Sequence, residues 1–277
     1  MSPSWRDQLH ISLCPHQISL TRVGRGWRPR IDLQRVLPCA TAQPGMTPWR
    51  TTLSALADAL PEFGARRGDV QLVLSNHFVR YALIPYSDQI TSAAEERALV
   101  HHHYTRTYGH DAENWVLRLS DNGTGTGLRL ASAVDAGLLE GLNTLFRPGK
   151  LILRSIQPHL MAAFNRWRPH MAGEAWFALI EPGRLCLAQW QDNEWRMLKT
   201  IKVSDAWLPE LLTLLDRERL LAGVDSAVST PIYVLAPEDA GISVTQAKEH
   251  SLQLLSSSDI TGATDTARAC LAMEVAG

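Results

Sequence analysis

Two short proline-containing turns carry residue types that could bind phosphate. The first lies in ISLCPHQISLTRV (residues 11–23), where Pro15 separates two runs of alternating apolar residues. The second lies in ALIEPGRLCLAQW (178–190) and contains Glu181 and Gly183. Tight turns can offer backbone N–H groups to phosphate, and a neighbouring carboxylate can place Mg²⁺. Both turns are therefore candidates for a phosphate-binding site.

The residues of the two turns fit this chemistry poorly. Pro15 has no N–H to donate, and no carboxylate occurs anywhere between Ile11 and Val23. The second turn has Gly183 and the carboxylate of Glu181, but a lone Pro-Gly pair is common in ordinary turns. We predict that the first turn has a structural role without phosphate chemistry.

Three consecutive histidines, His101–His103, suggest a metal site. Consecutive helical residues point about 100° apart, so at most two of them converge on one ion. The nearest carboxylates, Glu95, Glu96 and Asp111, add no clear ligand spacing. We predict no native metal site and interpret the histidines as a solvated or partner-facing helix surface.

Two further patterns resemble catalytic motifs in composition only. The segment DNGTGTG (121–127) lacks the lysine and the following helix of a P-loop and is interpreted as a hairpin loop. Ser75 and His77, with Asp69 or Asp88, contain the residue types of a hydrolase triad but no GxSxG elbow. We predict no catalytic residues and no enzymatic activity.

The composition excludes several classes of function. The chain has 277 residues, 45% of them apolar, with a net charge of −1, so it lacks the basic field of proteins that capture nucleic acid or anionic membranes. The four cysteines form no CxxC pair and indicate a reducing compartment. No secretory signal opens the sequence and no run of about 18 apolar residues occurs, so we expect a soluble intracellular protein.

An internal repeat indicates the fold. When the two turns are aligned, Pro15 matches Pro182, and the strands around them are followed by a third strand led by Trp27 or Trp195. Each third strand is followed by a helix, whose apolar residues recur at i, i+3, i+4 and i+7. The predicted stripes are Leu53, Leu56, Ala57 and Leu60 in the first half and Leu208, Leu211, Leu212 and Leu215 in the second.

A strand follows each helix, VQLVLSN (70–76) and PIYVLAP (231–237), so each half is predicted to be βββαβ. Two such halves form the skeleton of the duplicated ribonuclease H-like, or actin-like, α/β fold. We predict a first lobe at 1–168 with an inserted α+β subdomain at about 87–168, and a second lobe at 169–277.

The expected insertion contains recognisable helix signals. Ser92 and Glu95 have the spacing of a capping box before a helix, and Asp135 is a plausible N-cap for another. A closing helix is predicted near the C-terminus in TDTARACLAMEVA (264–276).

The segment DVQLVLSNHFVRYALIPY (69–86) resembles a segment of the GspL cytoplasmic domain of type II secretion and of its type IV pilus counterpart PilM. The resemblance covers most of the chain, and LSNHFVRYALIP (74–85) is its most specific part. It implies an actin-like scaffold at the cytoplasmic face of the inner membrane. Because the sequence contains no transmembrane segment, it is more similar to PilM, which the cytoplasmic tail of a membrane partner recruits.

The resemblance also identifies the positions at which actin-like proteins hold ATP. The first phosphate turn corresponds to Cys14 and Pro15, the second to Gly183, and the adenosine loop to VLAPEDAG (234–241). In that loop Ala236, Pro237 and Glu238 replace the expected glycines. The resemblance therefore implies a degenerate nucleotide site, and we expect no cofactor.

The predicted function is a non-catalytic scaffold of a type IV pilus or type II secretion-like assembly platform. Its expected partner is the cytoplasmic tail of a bitopic inner-membrane protein, and the assembly ATPase is a further candidate. We expect no nucleic-acid partner, and membrane association only through partners. The alternatives are an ATP-binding actin-like or sugar-kinase-like enzyme, supported by Gly183, Glu181 and Asp239, and a peptide-binding module outside any secretion apparatus.

Overall fold

The computed structural model contains three β-sheets and five α-helices among the residues that it describes. These residues are 6–24, 30–43, 45–63, 67–120, 127–147, 149–222, 230–237 and 251–256. Several predicted features lie outside them: Trp27, nearly all of the DNGTGTG loop, Glu238, Asp239 and the expected C-terminal helix.

The first sheet is built as the sequence repeat predicts. Three antiparallel strands are followed by a helix and by a strand that pairs in parallel with the first one. Alternating apolar residues on the strands face one side, where the helix covers them. These elements are β1 (Asp7–Leu13), β2 (Gln17–Val23), β3 (Ile31–Pro38), α1 (Trp49–Phe63) and β4 (Gly68–Leu74).

The second sheet repeats this order, which confirms the predicted pair of βββαβ halves. Its first three strands are antiparallel, and the strand after the helix again pairs in parallel with the first. Its elements are β9 (Ala175–Glu181), β10 (Arg184–Gln191), β11 (Glu194–Lys202), α5 (Trp207–Ala222), β12 (Ile232–Leu235) and β13 (Leu252–Leu254). The sheet has the order β11-β10-β9-β12-β13.

A third, smaller sheet with the order β5-β7-β6 lies between the halves in sequence. It consists of β5 (Val79–Pro85), β6 (Trp115–Leu119) and β7 (Leu128–Asp135), with α2 (Ala93–Tyr108) packed on one face. This sheet therefore begins at Val79, ahead of the expected start of the insertion near residue 87. We call this unit the inserted subdomain.

The chain then returns to the first lobe. After α3 (Ala136–Phe146), strand β8 (Leu151–Pro158) pairs in parallel with β4 and completes a sheet of order β3-β2-β1-β4-β8. Helix α4 (His159–Trp167) follows directly and leads into the second lobe. Thus α3 and β8, which the sequence placed inside the insertion, pack with the first sheet.

The two predicted helix caps are present. The Ser92 side chain accepts a hydrogen bond from the Glu95 N–H, and the Glu95 carboxylate accepts one from the Ser92 N–H, which is a complete capping box. At α3 the Asp135 carboxylate accepts a hydrogen bond from the Gly137 N–H. Both helices therefore begin where the sequence predicts.

The apolar stripe of α1 is rotated from the predicted one. Leu56 is fully buried, but Leu53, Ala57 and Leu60 are only half-buried. The most buried positions on this helix are Thr52, Leu56, Ala59 and Phe63. Thr52 tolerates burial because its hydroxyl donates to the Cys14 carbonyl (3.2 Å).

The predicted stripe of α5 is closer to the observed one. Leu211 and Leu215 are buried, and Leu208 packs at the border of the same cluster. Leu214 and Trp207 complete the buried face, whereas Leu212 is only half-buried. This face covers one side of the second sheet.

Both faces of the second sheet are buried under apolar side chains of the flanking helices. Helix α5 covers one face, and α4 covers the other with Leu160, Ala163, Phe164 and Trp167. Double coverage explains why β9 is buried along its whole length. Helix α4 therefore lies between the two lobes.

None of the helices that the structure describes combines the length and the apolar character that crossing a membrane would require.

The capping box gives a direct stability test. Replacing Ser92 with alanine removes a side-chain acceptor for the first turn of α2, so we expect a loss of about 1 kcal/mol in unfolding free energy. The measurement is urea denaturation followed by circular dichroism. Ser87→Ala is the matched control, because Ser87 precedes the helix and takes no part in the capping box; equal losses in the two variants would contradict the role of the cap.

Candidate functional site

The first turn joins β1 to β2 and uses its own polar groups. The Cys14 N–H donates to the Gln17 carbonyl (3.0 Å), and the Cys14 carbonyl accepts from Thr52 and from the Cys39 thiol (3.9 Å). Because Pro15 has no N–H, neither residue leaves a backbone donor for a phosphate. The turn is thus anchored to the first lobe through Cys14.

The second turn joins β9 to β10 and has a glycine where the backbone requires one. Gly183 has φ of +76°, in the left-handed region that a residue with a Cβ seldom adopts. Its carbonyl accepts a hydrogen bond from the Val203 N–H (3.2 Å). Gly183 is therefore accounted for by the turn conformation itself.

The carboxylate of Glu181, at the end of β9, is turned toward the first lobe. Its side chain is 1% exposed. One carboxylate oxygen lies 2.6 Å from His159 Nδ1, and the other accepts from Ser75 Oγ (3.0 Å) and from the Asn76 N–H (3.0 Å). We call these four residues the interlobe junction. Both oxygens of Glu181 are bound by first-lobe donors.

Asn76 extends this junction to the inserted subdomain and to α4. Its side-chain oxygen accepts hydrogen bonds from the Tyr81 hydroxyl (2.6 Å) on β5 and from the Leu160 N–H (3.2 Å) in the first turn of α4. The Ser75 N–H donates to the carbonyl of Leu13 at the end of β1 (2.9 Å). The segment with the most specific resemblance, LSNHFVRYALIP, therefore forms the centre of the junction.

His77 connects the two turns. Its Nε2 lies 2.9 Å from the Pro182 carbonyl oxygen, and its ring meets the ring of His16 edge to face at 6.1 Å. Burial lowers the pKa of His77 below its ordinary value of 6.5; Glu181 opposes this, and Arg184 adds to it. The imidazole is therefore neutral near pH 7, and in the tautomer protonated at Nε2 it donates to Pro182.

The thiols near the junction are protonated at neutral pH. Burial raises the pKa of Cys14 well above its usual range, and the nearby Glu181 carboxylate raises it further. Burial likewise raises the pKa of Cys186 to about 12. Since the thiolate is the reactive form of cysteine, neither side chain has the character of a nucleophile.

The remaining predicted positions give no ligand set. After β12, Ala236 and Pro237 are half-buried, and Ala236 packs against the core of the second lobe. His101 and His102 are exposed on α2. Within the described parts of the chain, no group of three or more histidine, cysteine or carboxylate side chains is close enough to hold a metal ion.

A groove runs beside β6 on the side that faces the first lobe. It has a volume of about 370 Å³ and lies between the inserted subdomain, α3 and β8. Its lining combines apolar and polar side chains and includes two arginines. Its principal lining residues are Val116, Arg118, Leu139, Leu153, Arg154 and Ile156.

A second groove lies on the other side of β6, against α2. It has a volume of about 550 Å³ and combines an apolar floor with charged walls. Glu96 in its wall pairs with Arg129, which leaves a basic rim. The lining includes Arg97, Val100, His101, Leu117, Arg118 and Leu119.

Strand β6 separates these grooves and has an open edge. Among the described strands it pairs only with β7, so its other edge offers backbone donors and acceptors to an added strand. Strand alternation places Val116 in the first groove and Leu117 and Leu119 in the second. This arrangement can accommodate an extended segment whose side chains enter both grooves in turn.

Sequence reasoning identified some of these residues without their roles. Glu181 and Gly183 were recognisable as turn residues, but the partners of Glu181 lie 22 to 106 positions away in the chain. His159 at the start of a helix carried no signal of its own. The open edge of β6 depends on the strand order of the inserted subdomain, which alternation does not specify.

Comparison with known proteins gives no match in sequence. No protein-family model matches the chain, and no curated protein matches it.

Solved structures are similar to this chain in fold. A protein of Bacteroides thetaiotaomicron with an actin-like ATPase fold and unknown function has a TM-score of 0.58 at 10% identity, covering 96% of this chain and 95% of that one. A PilM–PilN type IV pilus biogenesis complex gives 0.61 at 14% identity, covering 97% of both chains. The cytoplasmic domain of EpsL, an inner-membrane component of the type II secretion system of Vibrio cholerae, gives 0.53 at 12% identity, with 83% and 82% covered. At this low identity the similarity establishes architecture alone, and the chain has the actin-like, duplicated ribonuclease H-like fold.

Proposed function

We propose that this protein is a non-catalytic scaffold of a type IV pilus or type II secretion-like assembly platform, and that it binds the cytoplasmic tail of an inner-membrane partner. The observation that carries the proposal is the interlobe junction. Glu181 extends a buried carboxylate from the second lobe to Ser75 and Asn76 of the first lobe and to His159 at the start of α4. The cleft between the lobes is therefore a packed interface.

Two of the similar folds support the kind of machine. One is solved as a pilus biogenesis complex of PilM with PilN, and the other is the cytoplasmic domain of a secretion component of the inner membrane. The resemblance of LSNHFVRYALIP (74–85) to the same two protein families agrees with this assignment. On this proposal the protein lies in the cytoplasm and reaches the inner membrane through its partner.

We place the binding site for the tail at the open edge of β6. The edge supplies main-chain hydrogen bonds, and the flanking grooves supply apolar contacts for alternate side chains. Arg97 and Arg118 favour a tail with acidic residues among apolar ones. The assembly ATPase is a second proposed partner, which would meet a surface outside these grooves.

An ATP-binding enzyme is the alternative. It is supported by the turn at Gly183, whose left-handed conformation is compatible with a phosphate loop. The buried position of Glu181 opposes it, because a carboxylate held by three protein donors is not available to place Mg²⁺.

A charge placed in the β6 groove should block the tail. Val116 is 36% exposed on β6, so Val116→Glu should leave the fold intact while burying a carboxylate in the bound complex. We expect at least about tenfold weaker binding of the cytoplasmic tail encoded beside this gene, measured by fluorescence anisotropy.

The matched control is Val36→Glu, because Val36 is 50% exposed on β3, an edge strand of the first sheet far from the groove. Binding of the tail should be unchanged in that variant. If both variants bind the tail as the natural protein does, the groove is not its site; if the natural protein binds no such tail, the scaffold proposal fails.

Removing the junction carboxylate should cost stability. Glu181→Ala leaves Ser75, Asn76 and His159 without their acceptor, and breaking a buried pair from one side typically costs about 3–5 kcal/mol. Chemical denaturation measures the loss. The exposed Glu113→Ala is the control and should cost far less.

Nucleotide binding separates the two proposals directly. Titration calorimetry of the full chain with Mg-ATP should give no heat of binding, because the Glu181 carboxylate and the Cys14 N–H are already engaged within the protein and Pro15 has no N–H. Micromolar binding of Mg-ATP would favour the enzyme and overturn the degenerate site.

A further inference from the structure

The two halves of the duplicated fold differ in the sheet face that they turn toward α4. In the second sheet the central part of this face belongs to one buried hydrophobic cluster with α4, and the carboxylate of Glu181 lies only at its end. Six positions on β9, β10 and β12 form this central part in two rows of paired residues. They are Phe177, Ala188 and Tyr233 in one row and Leu179, Cys186 and Leu235 in the other.

The first sheet carries polar residues at the equivalent positions. Its strands pair in the same register, so each residue of the second sheet has a counterpart on β1, β2 or β4. Five of the six counterparts are polar, and none is acidic. They are His10, Thr21 and Gln71 in one row and Ser12, Ser19 and Val73 in the other.

These residues line a cavity of about 90 Å³ between the first sheet and α4, which we call the polar cavity. Ser155 and Gln157 from β8 extend its wall, and Ala162 and Arg166 from α4 close it. A sheet that is covered on both faces normally buries apolar residues on both, as the second sheet does. The first sheet therefore differs from the second in burying polar side chains on the face that α4 covers.

Burial makes the hydroxyl of Ser19 costly unless a ligand satisfies it, and this hydroxyl lies among other buried polar side chains. Thr21 is 1% exposed, Ser19 3% and Ser12 7%. The Ser19 hydroxyl is buried and has no hydrogen-bond partner among the described residues. A buried hydroxyl without a partner costs about 1–3 kcal/mol, so a polar group in the cavity would recover that loss.

The charges on the lining indicate an anion. Arg166 contributes a guanidinium, the lining contains hydroxyl, amide and imidazole donors, and it contains no carboxylate. Burial lowers the pKa of His10, and the nearby Arg166 lowers it further, which is the environment that an anion would relieve. The cavity is equivalent to about three water molecules of liquid volume, which is the size of a small oxyanion.

We propose that the polar cavity binds a small oxyanion, a phosphate or a carboxylate group, between the first sheet and α4. Arg166 supplies the charge, and the hydroxyls of Ser12, Ser19 and Thr21 lie at the buried end. The ligand enters beside Gln71 and Gln157, which are exposed on β4 and β8. The bound anion ties α4 to the first sheet, and α4 begins with His159 of the interlobe junction.

Thermal unfolding of the full chain tests the proposal. Inorganic phosphate, sulfate and acetate are compared with chloride at constant ionic strength, up to about 50 mM. A ligand of the native state raises the melting temperature progressively with its concentration. We expect at least one of the three anions to raise the melting temperature. A rise with phosphate or sulfate indicates a phosphate group as the ligand, and a rise with acetate indicates a carboxylate group.

Variants locate the site. Arg166→Gln should weaken the affinity for the anion, measured from the rise in melting temperature with anion concentration, at least about tenfold, since charge-assisted bonds dominate anion binding. Ser19→Ala should weaken this affinity several-fold. Arg106→Gln, which changes an exposed arginine on α2, is the matched control and should leave it unchanged. If Arg166→Gln does not fold, the Ser19→Ala variant tests the site instead, because it removes only one oxygen atom and should preserve the fold.

A spectroscopic measurement distinguishes the cavity from surface binding. The anion should raise the pKa of His10, followed by its imidazole resonances in NMR, and should leave the imidazole resonances of the exposed His110 in place. The proposal is overturned if none of the anions alters the melting temperature or the His10 resonances, or if Ser19→Ala and Arg106→Gln respond alike. Failure here leaves tail binding at β6 unaffected, because the cavity has no lining residue on β6 or α2 and shares only Ser155 of β8 with the grooves.

Discussion

The burial of one carboxylate constrains the whole molecule. An ionised side chain that is removed from water is very costly unless donors surround it. Among the described residues, Glu181 finds those donors on Ser75 and Asn76 of the first lobe and on His159 at the start of α4. The second lobe therefore has one favourable position against the first, and a rotation of the lobes that opened the cleft would leave the carboxylate and its donors unpaired.

This constraint extends to the inserted subdomain and so to the proposed binding site. Asn76, whose N–H binds Glu181, also accepts the Tyr81 hydroxyl from β5 and the Leu160 N–H at the start of α4. The junction thereby connects both lobes, the connecting helix and the sheet that carries β6. A rigid platform of this kind can present an open strand edge in a fixed orientation, which lowers the entropic cost of binding an extended partner.

The duplicated architecture separates fold from function within one chain. Both halves use the same strand order and register, yet one turns apolar residues and the other turns hydroxyls toward α4. The backbone pairing depends on none of these side chains. The halves differ locally instead, in the Glu181 carboxylate at the second turn and in the polar cavity on the first sheet.

The duplicated βββαβ order, the helix caps at Ser92 and Asp135, and the unsuitability of Pro15 as a phosphate donor can all be predicted from the amino-acid sequence. Each of these follows from local periodicity or from the chemistry of single residues. The stripe of α1 was only partly predicted, because Thr52 became buried through a partner in a distant turn. The tertiary structure alone decided that Glu181 faces His159 across the lobes, that β8 joins the first sheet and that β6 has an open edge. These depend on which distant segments meet, and alternation along a strand specifies the faces of its side chains but not the identity of its neighbours.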